Sequence, residues 1–294
     1  MGIFKSGYAA ILGRPNVGKS TLLNTLINLK LSAVTRKPQT TRNKILGILN
    51  SKEFQVLFID TPGILKPKYF LQRLMQHEIQ DAITTADLFL LVVEPFSSPE
   101  KEEIELIEYI IAKPTILVIN KIDLIEKEKL LPLLGEYQKF PFKEIHPVSA
   151  LKNNGIEQLK KNIVANLPEG APYYPQDQIT ERPEKFFAAE IIRETIFKYY
   201  GEEIPYSSFV EIEEFKERSS NKDYIRAVIY VERPNQRAIV LGKGGQAIKR
   251  LGSIARKNIE EFLGRPVYLE LFVKIKGDWR DDERFIKEKL FTPQ

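Results

Sequence analysis

Residues 13–20 read Gly13-Arg14-Pro15-Asn16-Val17-Gly18-Lys19-Ser20, which satisfies the phosphate-loop pattern G-x-x-x-x-G-K-[ST]. The pattern needs a strand before it and a helix after it. The sequence offers an apolar run at 8–12 and an amphipathic stretch at 19–27. Backbone N–H groups freed by the glycines would face phosphate oxygens, Lys19 would reach the β- and γ-phosphates, and Ser20 would coordinate Mg²⁺. The stretch therefore predicts a nucleoside triphosphate site.

Strand-like and helix-like segments alternate from this loop up to residue 166. Further strands are predicted at 44–49, 54–59, 88–93, 115–119 and 143–147, and helices at 71–85, 99–110, 126–139 and 155–166. Strands that alternate with helices are joined by crossovers, which give a parallel sheet covered on both faces. We therefore expect an α/β P-loop domain with a mostly parallel six-stranded sheet.

Three segments that follow predicted strands would complete a guanine-nucleotide site. In Asp60-Thr61-Pro62-Gly63, the aspartate can hold Mg²⁺ through water. In Asn120-Lys121-Ile122-Asp123, the last carboxylate can accept hydrogen bonds from N1–H and N2–H₂ of guanine, a pair of donors that adenine lacks. Asn120 would brace the loops and contact the base, and the stem of Lys121 would cover the ring. Ser149-Ala150-Leu151 suits a backbone amide aimed at guanine O6.

The order of these elements resembles the translation-factor-related GTPase superfamily. In that superfamily, a threonine from a mobile loop closes on Mg²⁺ and the γ-phosphate. Thr40 and Thr41 are the candidates here, in a loop at 30–43 without apolar periodicity, and we favour Thr41. The resemblance implies GTP or GDP with Mg²⁺ as cofactors, and it assigns roles to specific positions. The nucleotide contacts are residues 13–20, Thr21, 60–63, Asn120, Lys121, Asp123 and 149–151; the Mg²⁺ ligands are Ser20, Thr41 and Asp60; the catalytic residues are Asn16, Lys19, Thr41 and Gly63.

One position departs from the Ras-like members of this superfamily. They place a water-orienting Gln directly after the Asp-x-x-Gly element, whereas this chain has Ile64 there. We therefore expect slow hydrolysis unless another group helps. Asn16 matches an asparagine that helps to place K⁺ against the phosphates in potassium-activated relatives, so the resemblance implies K⁺ as a further cofactor. The alternative, that Asn16 only fits the turn, stays open.

Basic residues are concentrated in two stretches that contain no acid, although the chain has 39 Asp and Glu. Residues 1–52 hold nine Lys or Arg, and residues 233–259 hold seven. Each stretch surrounds a glycine-rich turn, which favours anionic ligands over a merely solvated face. The chain has no cysteine, and no signal-peptide pattern occupies residues 1–10. The longest apolar run, at 88–93, is too short to span a bilayer, so we expect a cytoplasmic protein whose membrane contact is peripheral.

A proline-rich stretch separates two predicted domains. We place a GTPase domain at 1–170, a stiff linker at 171–183 and a second domain with its tail at 184–294. In the second domain the pattern predicts a helix at 184–200, strands at 209–216 and 224–232, a helical region at 246–263 broken near Gly252, and a strand at 267–275. This is a smaller α+β arrangement.

The segment Gly242-Lys243-Gly244-Gly245 lies between an apolar run and a helix, with Ile248 three residues on. It resembles the G-x-x-G loop of KH domains, which clamps four nucleotides of single-stranded nucleic acid, and the order of elements resembles the bacterial type II variant. Lys243 would pair with a phosphate. Four further basic residues would attract the strand: Arg233, Arg237, Lys249 and Arg250. Trp279 and Arg280 in the tail could stack on bases, although Trp279 is equally suited to packing.

A GTPase domain, a proline-rich linker and a type II KH domain in this order resemble the Era-like family of ribosome-assembly GTPases. The resemblance implies binding to the 3′ region of 16S ribosomal RNA, a role in maturation of the 30S ribosomal subunit, and peripheral association with the inner membrane. We expect a monomer. Two alternatives stay open: a membrane-associated signalling GTPase whose C-terminal domain binds protein, and an RNA-binding module with an inert nucleotide domain.

Overall fold

The computed structural model describes residues 3–96, 99–201, 203–218 and 221–291. Its contacts divide the chain into two compact units. The first covers the chain up to Ser32, Thr41–Lys66 and Leu74–Glu181. The second covers Ala33–Thr40, Pro67–Arg73 and the chain from Arg182 onward. The domain bounds inferred from sequence stay a prediction, and their ends at residues 1–2 and 292–294 lie outside the described residues.

Residues 5–165 form a six-stranded sheet and its helices, in the order expected. The elements are β1 Lys5–Leu12, α1 Lys19–Ile27, β2 Ile45–Asn50, β3 Phe54–Asp60, α2 Phe70–Thr85, β4 Leu88–Val93, α3 Lys101–Ile110, β5 Thr115–Ile119, α4 Lys127–Tyr137, β6 Glu144–Pro147 and α5 Ile156–Ala165. A 3₁₀ turn, Ile122–Leu124, follows β5. The strand order is β2-β3-β1-β4-β5-β6, and only β2 runs antiparallel to its neighbour.

Apolar side chains cover the sheet on both faces. On one face Leu91 packs with Ile79 of α2 and Ile107 of α3. Helices α1 and α5 contact β1 from the other face, where Leu22 and Leu159 are fully buried. Every residue of the central strands β4 and β5 is buried, which explains their continuous apolar sequences. The predicted α/β fold with a mostly parallel sheet is confirmed, and it brings the loops after β1, β3, β5 and β6 to one edge.

The second unit is built on a three-stranded sheet in the order β7-β8-β9. Its elements are α6 Glu184–Tyr199, α7 Ile204–Ser207, β7 Phe209–Lys216, β8 Asp223–Val231, α8 Pro234–Leu241, α9 Gln246–Leu263, β9 Val267–Ile275 and α10 Glu283–Ile286, followed by a π-helical turn, Lys287–Phe291. β7 pairs antiparallel and β9 parallel with β8. Helices α6 and α9 pack together and bury Ile192, Ala255 and Ile259 in the core of this unit.

Helix α9 is continuous through Gly252, so the predicted break there is wrong. A Cβ atom at this position would lie 3.3 Å from Leu271 Cδ1. The glycine therefore allows α9 to approach β9 closely and does not end a helix.

The tail after β9 folds back into the second unit. Trp279 is 0% exposed and its Nε1–H donates to Ser207 O at 2.8 Å. A fully buried ring cannot stack on nucleic-acid bases, so of the two roles considered for Trp279 the structure selects packing. Arg280 is held by an ion pair with Glu232 at 2.6 Å.

Two segments that the sequence interpretation left in the GTPase domain belong to the second unit. In Ala33–Thr40, the Val34 N–H donates to Glu194 Oε1 at 3.1 Å, and Lys37 Nζ donates to the carbonyl oxygens of Phe197 (2.7 Å) and Tyr200. The loop between α1 and β2 is thus ordered by specific hydrogen bonds.

The second such segment, Pro67–Arg73, is bound by the tail. The Leu71 N–H donates to Arg280 O at 3.0 Å, and the Phe70 N–H donates to Asp281 Oδ1 at 2.9 Å. The Arg280 guanidinium also lies 5.0 Å from the centre of the Tyr69 ring.

No helix within the described ranges is long and apolar enough to cross a membrane.

Candidate functional site

The phosphate loop has a backbone that only glycine can adopt at two positions. Gly13 and Gly18 have φ values of +143° and +100°. A Cβ atom at Gly13 would lie 2.3 Å from Val92 O, and one at Gly18 would lie 2.2 Å from Asn120 Nδ2. Both contacts are far shorter than van der Waals distance, so conformation and space each require glycine. The loop then leads directly into the N-terminus of α1 at Lys19, where a phosphate would meet the positive end of the helix.

Lys19 is buried and its ammonium is held inside the loop. Its Nζ donates to Gly13 O at 3.0 Å and to Arg14 O at 2.9 Å. Burial lowers the pKa of Lys19 to about 8, and the nearby Asp60 carboxylate opposes that shift. Because little negative charge lies near the buried Lys19 ammonium, binding to phosphate oxygens would be favourable for it.

Three oxygen-bearing side chains meet beside Lys19. Ser20 Oγ donates to Asp60 Oδ2 at 2.7 Å and lies 2.9 Å from Thr41 Oγ1. Because Ser20 has a single hydroxyl proton, it accepts from Thr41. Burial raises the pKa of Asp60, while hydrogen bonds and the Lys19 charge oppose this. Asp60 Oδ1 is buried and, among the described atoms, has no hydrogen-bond partner. Oxygen donors of this kind are the ligands that Mg²⁺ prefers, so the residues fit the predicted magnesium site.

The structure separates the two candidate threonines of the loop at 30–43. Thr41 Oγ1 bonds to Ser20, whereas Thr40 is turned into the second unit. There the Thr40 hydroxyl lies 2.6 Å from Thr35 Oγ1 and 2.8 Å from Lys37 O. This geometry places Thr41 beside the other oxygen donors, and its role as a Mg²⁺ ligand remains a prediction.

Asn120 joins the phosphate loop to the segment after β6. Its side chain is 2% exposed, donates to Val17 O at 2.9 Å and accepts from the Ala150 N–H at 3.0 Å. The predicted bracing contact is therefore present. The sequence interpretation expected a backbone amide of residues 149–151 to face guanine O6, and in this structure the Ala150 amide donates to Asn120. Thr25 Oγ1 of α1 adds a bond to Ala150 O at 3.0 Å.

The remaining base-reading residues lie around this brace. Lys121 Nζ donates to Asn16 O at 2.6 Å and pairs with Glu94, which holds its stem along the phosphate loop. Asp123, in the 3₁₀ turn after β5, is exposed to solvent and accessible to a base. Ser149 is buried and its Oγ accepts from the Lys152 N–H at 3.2 Å, whereas Leu151 is exposed.

The segment after Asp60 lies tightly against the phosphate loop. A Cβ at Gly63 would come within 2.8 Å of Pro15 Cα, and Thr61 Oγ1 donates to Ile11 O at 2.8 Å. Ile64 packs against the apolar core under the sheet, so its side chain has no means of orienting water. Arg14 is paired with Glu100 at 2.5 Å, and this bond raises the pKa of the guanidinium.

The second predicted site is the glycine loop between α8 and α9. Gly242, Gly244 and Gly245 have φ values of +70°, +59° and +77°. A Cβ at Gly242 would lie 2.6 Å from Ala247 Cβ, while nothing lies within 4 Å of one at Gly244. Lys243 is exposed at the tip. This open turn at the N-terminus of α9 allows close approach of a sugar-phosphate backbone.

The four basic residues predicted to attract RNA lie at the two helices on either side of this loop. Arg233, Lys249 and Arg250 are exposed, and Arg250 lies 5.8 Å from the centre of the Tyr199 ring. Arg237 is also exposed and donates from Nε to Val273 O at 3.2 Å. These four basic residues are therefore presented to solvent.

A groove of about 420 Å³ runs between α9 and β9. Its lining includes residues that sequence reasoning missed: Lys222, Ser253, Arg256 and Tyr268. Lys249, Gly252, Ser253 and Arg256 are three to four residues apart and share one helix face. The helical spacing of these residues could have identified the groove from the sequence. It was missed because the helix was predicted to break near Gly252.

Comparison with known proteins identifies both domains. A family model described as 50S ribosome-binding GTPase matches residues 8–121, and one described as KH domain matches residues 203–280. GTPase Era of Ruminiclostridium cellulolyticum is 43% identical over 97% of this chain and 96% of its own length. GTPase Era of Geobacter metallireducens is 44% identical over 98% of each.

The chain belongs to the Era family of GTPases. It is a GTPase with a C-terminal KH domain, and two solved Era structures superpose on nearly all of it. A variant of Aquifex aeolicus Era bound to GDP and AlF₄⁻ is 40% identical, covers 98% of this chain and 100% of its own, and gives a TM-score of 0.94. Era in complex with MgGDPNP and nucleotides 1506–1542 of 16S ribosomal RNA is 41% identical, covers 98% and 99%, and also gives 0.94.

Proposed function

We propose that this Era-family chain is a GTP-driven switch that binds single-stranded 16S ribosomal RNA near its 3′ end and acts in maturation of the 30S subunit. It would bind GTP and GDP with Mg²⁺, hydrolyse GTP slowly, and hold RNA through the glycine loop before α9. The solved Era complex with a GTP analogue and 16S nucleotides supports both ligands. The open turn at Gly244 and the exposed Lys243 support the RNA-binding loop.

The observation that carries the proposal concerns the loop that joins α1 to β2. Its residues are divided between the two units. Thr41 bonds to Ser20 in the nucleotide site, and the residues immediately before it, Ala33–Thr40, belong to the unit that contains the KH domain. A ligand that repositions Thr41 must therefore act on a segment bonded to Glu194 and Phe197. This connection supports a GTP-dependent change in how the KH domain presents its RNA surface.

The residues of the nucleotide site would perform hydrolysis mainly by stabilising charge. Lys19 would donate to the β- and γ-phosphates once these replace the loop carbonyls as its partners. Ser20, Thr41 and Asp60 would hold Mg²⁺, which supplies further positive charge to the phosphates. Because Ile64 cannot orient the attacking water, we propose a slow intrinsic rate that bound RNA increases.

Turnover of GTP with and without a single-stranded RNA copy of the 16S 3′ end tests this function. The RNA-loop variant should be Gly244→Asp, because a side chain there meets nothing within 4 Å, whereas one at Gly242 would collide with Ala247. Gly277→Asp adds the same charge to the second unit at an open position outside the loop and serves as the control. RNA should raise turnover by the wild type and by Gly277→Asp but not by Gly244→Asp.

Other outcomes of this experiment contradict the proposal in distinct ways. RNA that binds without changing turnover would leave an RNA-binding protein with an uncoupled GTPase. RNA that does not bind at all would favour the alternative in which the C-terminal domain contacts protein. Loss of stimulation in both aspartate variants would show a general charge effect unrelated to the loop.

We also propose that K⁺ stimulates hydrolysis through Asn16. Asn16 has a left-handed backbone (φ 67°) and its carbonyl is fixed by Lys121, so its side chain is presented from a constrained turn. A bound K⁺ would supply positive charge near the phosphates, where other GTPases use an arginine. Turnover should be faster in KCl than in NaCl at equal ionic strength, and equal rates would exclude this role.

We further propose that the chain acts as a cytoplasmic monomer with peripheral inner-membrane association. The net charge of +5 and the two acid-free basic stretches support attraction to anionic surfaces. Sedimentation velocity would measure the oligomeric state. Cell fractionation at low and high salt would test the membrane association, which should be lost at high salt.

A further inference from the structure

Gln39 has a left-handed backbone conformation in the loop between α1 and β2. Its φ is +60°, a region that residues with a Cβ atom rarely adopt. Such a conformation persists only where the surrounding structure holds it, and it is concentrated at binding sites and switch segments. Only Thr40 separates Gln39 from Thr41, whose hydroxyl oxygen lies 2.9 Å from Ser20 Oγ. The contacts that hold Gln39 therefore act close to the nucleotide site.

The side-chain oxygen of Gln39 accepts two hydrogen bonds from the segment Pro67–Arg73. Tyr69 Oη donates to Gln39 Oε1 at 3.0 Å, and Gln72 Nε2 donates to the same atom at 3.2 Å. Gln72 is 4% exposed, and its own Oε1 accepts from the Lys68 N–H at 2.7 Å. Because a backbone N–H can only donate, the amide oxygen of Gln72 must face Lys68 and its nitrogen must face Gln39. The Gln39 oxygen therefore joins two chain segments that both belong to the second unit.

The segment that carries both donors is anchored by the tail after β9. The Tyr69 ring centre lies 5.0 Å from the guanidinium of Arg280, which is ion-paired with Glu232 at 2.6 Å. The Leu71 N–H donates to Arg280 O at 3.0 Å. Gln39 is thus bonded to a segment that is itself held in place, so its two hydrogen bonds restrict the loop.

The adjacent residues Thr40 and Thr41 have different partners. Thr40 is 8% exposed, and its hydroxyl oxygen lies 2.6 Å from Thr35 Oγ1. Thr41 Oγ1 instead lies beside Ser20 in the nucleotide site. Because the side chains of Gln39 and Thr40 are both held, little backbone freedom remains for Thr41. The loop is therefore pre-organised with the Thr41 hydroxyl at the magnesium site.

We propose that Gln39 is a positioning residue that favours GTP over GDP. Its side-chain oxygen holds the loop in the conformation that presents the Thr41 hydroxyl to Mg²⁺ and the γ-phosphate. Without this oxygen, GTP binding would have to order the loop, and that cost would lower the affinity for GTP. GDP has no γ-phosphate on which Thr41 could close, so its affinity would not depend on Gln39. The inference rests on the proposed role of Thr41 as a Mg²⁺ ligand.

Equilibrium binding of fluorescent GDP and of a fluorescent non-hydrolysable GTP analogue to the full chain with Mg²⁺ tests this role. Gln39→Met keeps the length of the side chain and removes the acceptor. It should lower affinity for the GTP analogue about 10-fold and leave GDP affinity within about twofold. Gln39→Glu, which restores oxygen acceptors, should recover most of the lost affinity. Gln158→Met is the matched control, because Gln158 is exposed on α5 and donates to Asn162 Oδ1 at 2.9 Å, outside both segments.

Tyr69→Phe supplies a second measurement that does not change residue 39. It removes one of the two donors and keeps the ring beside Arg280. It should lower affinity for the GTP analogue about threefold, with GDP affinity unchanged. Combined with Gln39→Met it should cause no further loss, because the acceptor of its hydrogen bond is already absent.

Three results would overturn the proposal. They are an unchanged affinity of Gln39→Met for the GTP analogue, an equal loss for GDP and the GTP analogue, and additive losses in the double variant. Thr41→Ala separates these results from failure of the proposed function. If Thr41→Ala shows no loss specific to the GTP analogue, the proposed role of Thr41 is refuted together with this inference. A specific loss in Thr41→Ala that is absent from Gln39→Met refutes the inference alone.

Discussion

Selection of the base depends on one exposed carboxylate at Asp123. If it accepts from guanine N1–H and N2–H₂, Asp123→Asn should lower GTP affinity and raise affinity for xanthosine triphosphate, because the amide can donate to the additional oxygen of xanthine. Loss of one charged acceptor should cost about 1–3 kcal/mol, or roughly 10- to 100-fold in GTP affinity. Competition binding with both nucleotides measures the change, and retained preference for GTP would contradict the assignment.

Asp223 gives a pH-dependent prediction for the second unit. Burial raises its pKa, but hydrogen bonds from Arg265 Nε (2.6 Å) and the Arg218 N–H (2.9 Å) outweigh this, and the pKa lies below the usual value. A carboxyl with a lowered pKa stabilises the folded state above its unfolded pKa, and this contribution is lost as pH falls through the folded value. Asp223→Asn should therefore be less stable than the wild type at pH 7, and the difference should shrink below about pH 4.

Denaturant titrations of both proteins at pH 7 and at pH 3 would check this. The control is Asp177→Asn, an exposed aspartate in the linker. A stability difference for Asp223→Asn that stays constant over this pH range would show that the ion pair contributes nothing through its charge.

At the residue scale, sequence predicted the groups that belong to contiguous motifs. Asp60 ends β3, and Lys19 and Asn120 follow β1 and β5, so the topology brings all three to one edge of the sheet. The sequence left both Thr40 and Thr41 as candidates, because the choice depends on the contacts of Thr41 with Ser20 and of Thr40 with Thr35. No local pattern in the sequence records that arrangement.

Two of the three glycines in the turn between α8 and α9 are under different constraints. Gly242 combines φ +70° and ψ 175°, a region that other residues avoid, with a 2.6 Å collision for any Cβ. Gly244 has an ordinary left-handed conformation and open space. Gly242→Ala should therefore cost about 3 kcal/mol of stability and Gly244→Ala about 1 kcal/mol.

Thermal unfolding of the two alanine variants measures this difference. Equal stability losses would mean that the turn is less constrained than its geometry indicates. The comparison also establishes whether Gly244→Asp can report on RNA binding without disturbing the fold.

Lys37 lies in the part of the loop between α1 and β2 that belongs to the second unit. Its ammonium donates to the carbonyl oxygen of Phe197 in the last turn of α6 and to that of Tyr200. Lys37→Ala should leave nucleotide affinity within about twofold but reduce RNA stimulation of turnover, because coupling passes through this segment. Lys52→Ala, an exposed lysine between β2 and β3, is the control. Full stimulation in Lys37→Ala would contradict this path.

At the element scale, the alternation of strands and helices was predictable, and α1, β4, β5 and β7 have the bounds expected from the sequence. Periodicity did not show that α9 continues through Gly252, since a glycine that ends a helix and one that permits close packing look alike in sequence. The sequence also did not reveal the hydrogen bonds of Val34 with Glu194 and of Lys37 with Phe197, because each joins positions about 160 residues apart.

In the whole molecule, the two acid-free basic stretches predicted two sites for anionic ligands. Each stretch contains a glycine turn that directly precedes a helix. The chain of the GTPase domain contributes two segments to the second unit, Ala33–Thr40 and Pro67–Arg73. The central claim is that the nucleotide bound at one site alters RNA binding at the other. Thermodynamic reciprocity then requires that RNA also alter nucleotide affinity.

Fluorescence anisotropy of a labelled single-stranded RNA from the 16S 3′ end, titrated with the full chain, tests that claim most directly. One titration uses protein saturated with Mg²⁺ and GDP, and the other uses Mg²⁺ and a non-hydrolysable GTP analogue. We predict tighter binding with the GTP analogue, by a factor between about 5 and 150, and a smaller factor in Lys37→Ala. The same RNA affinity in both nucleotide states would contradict the account.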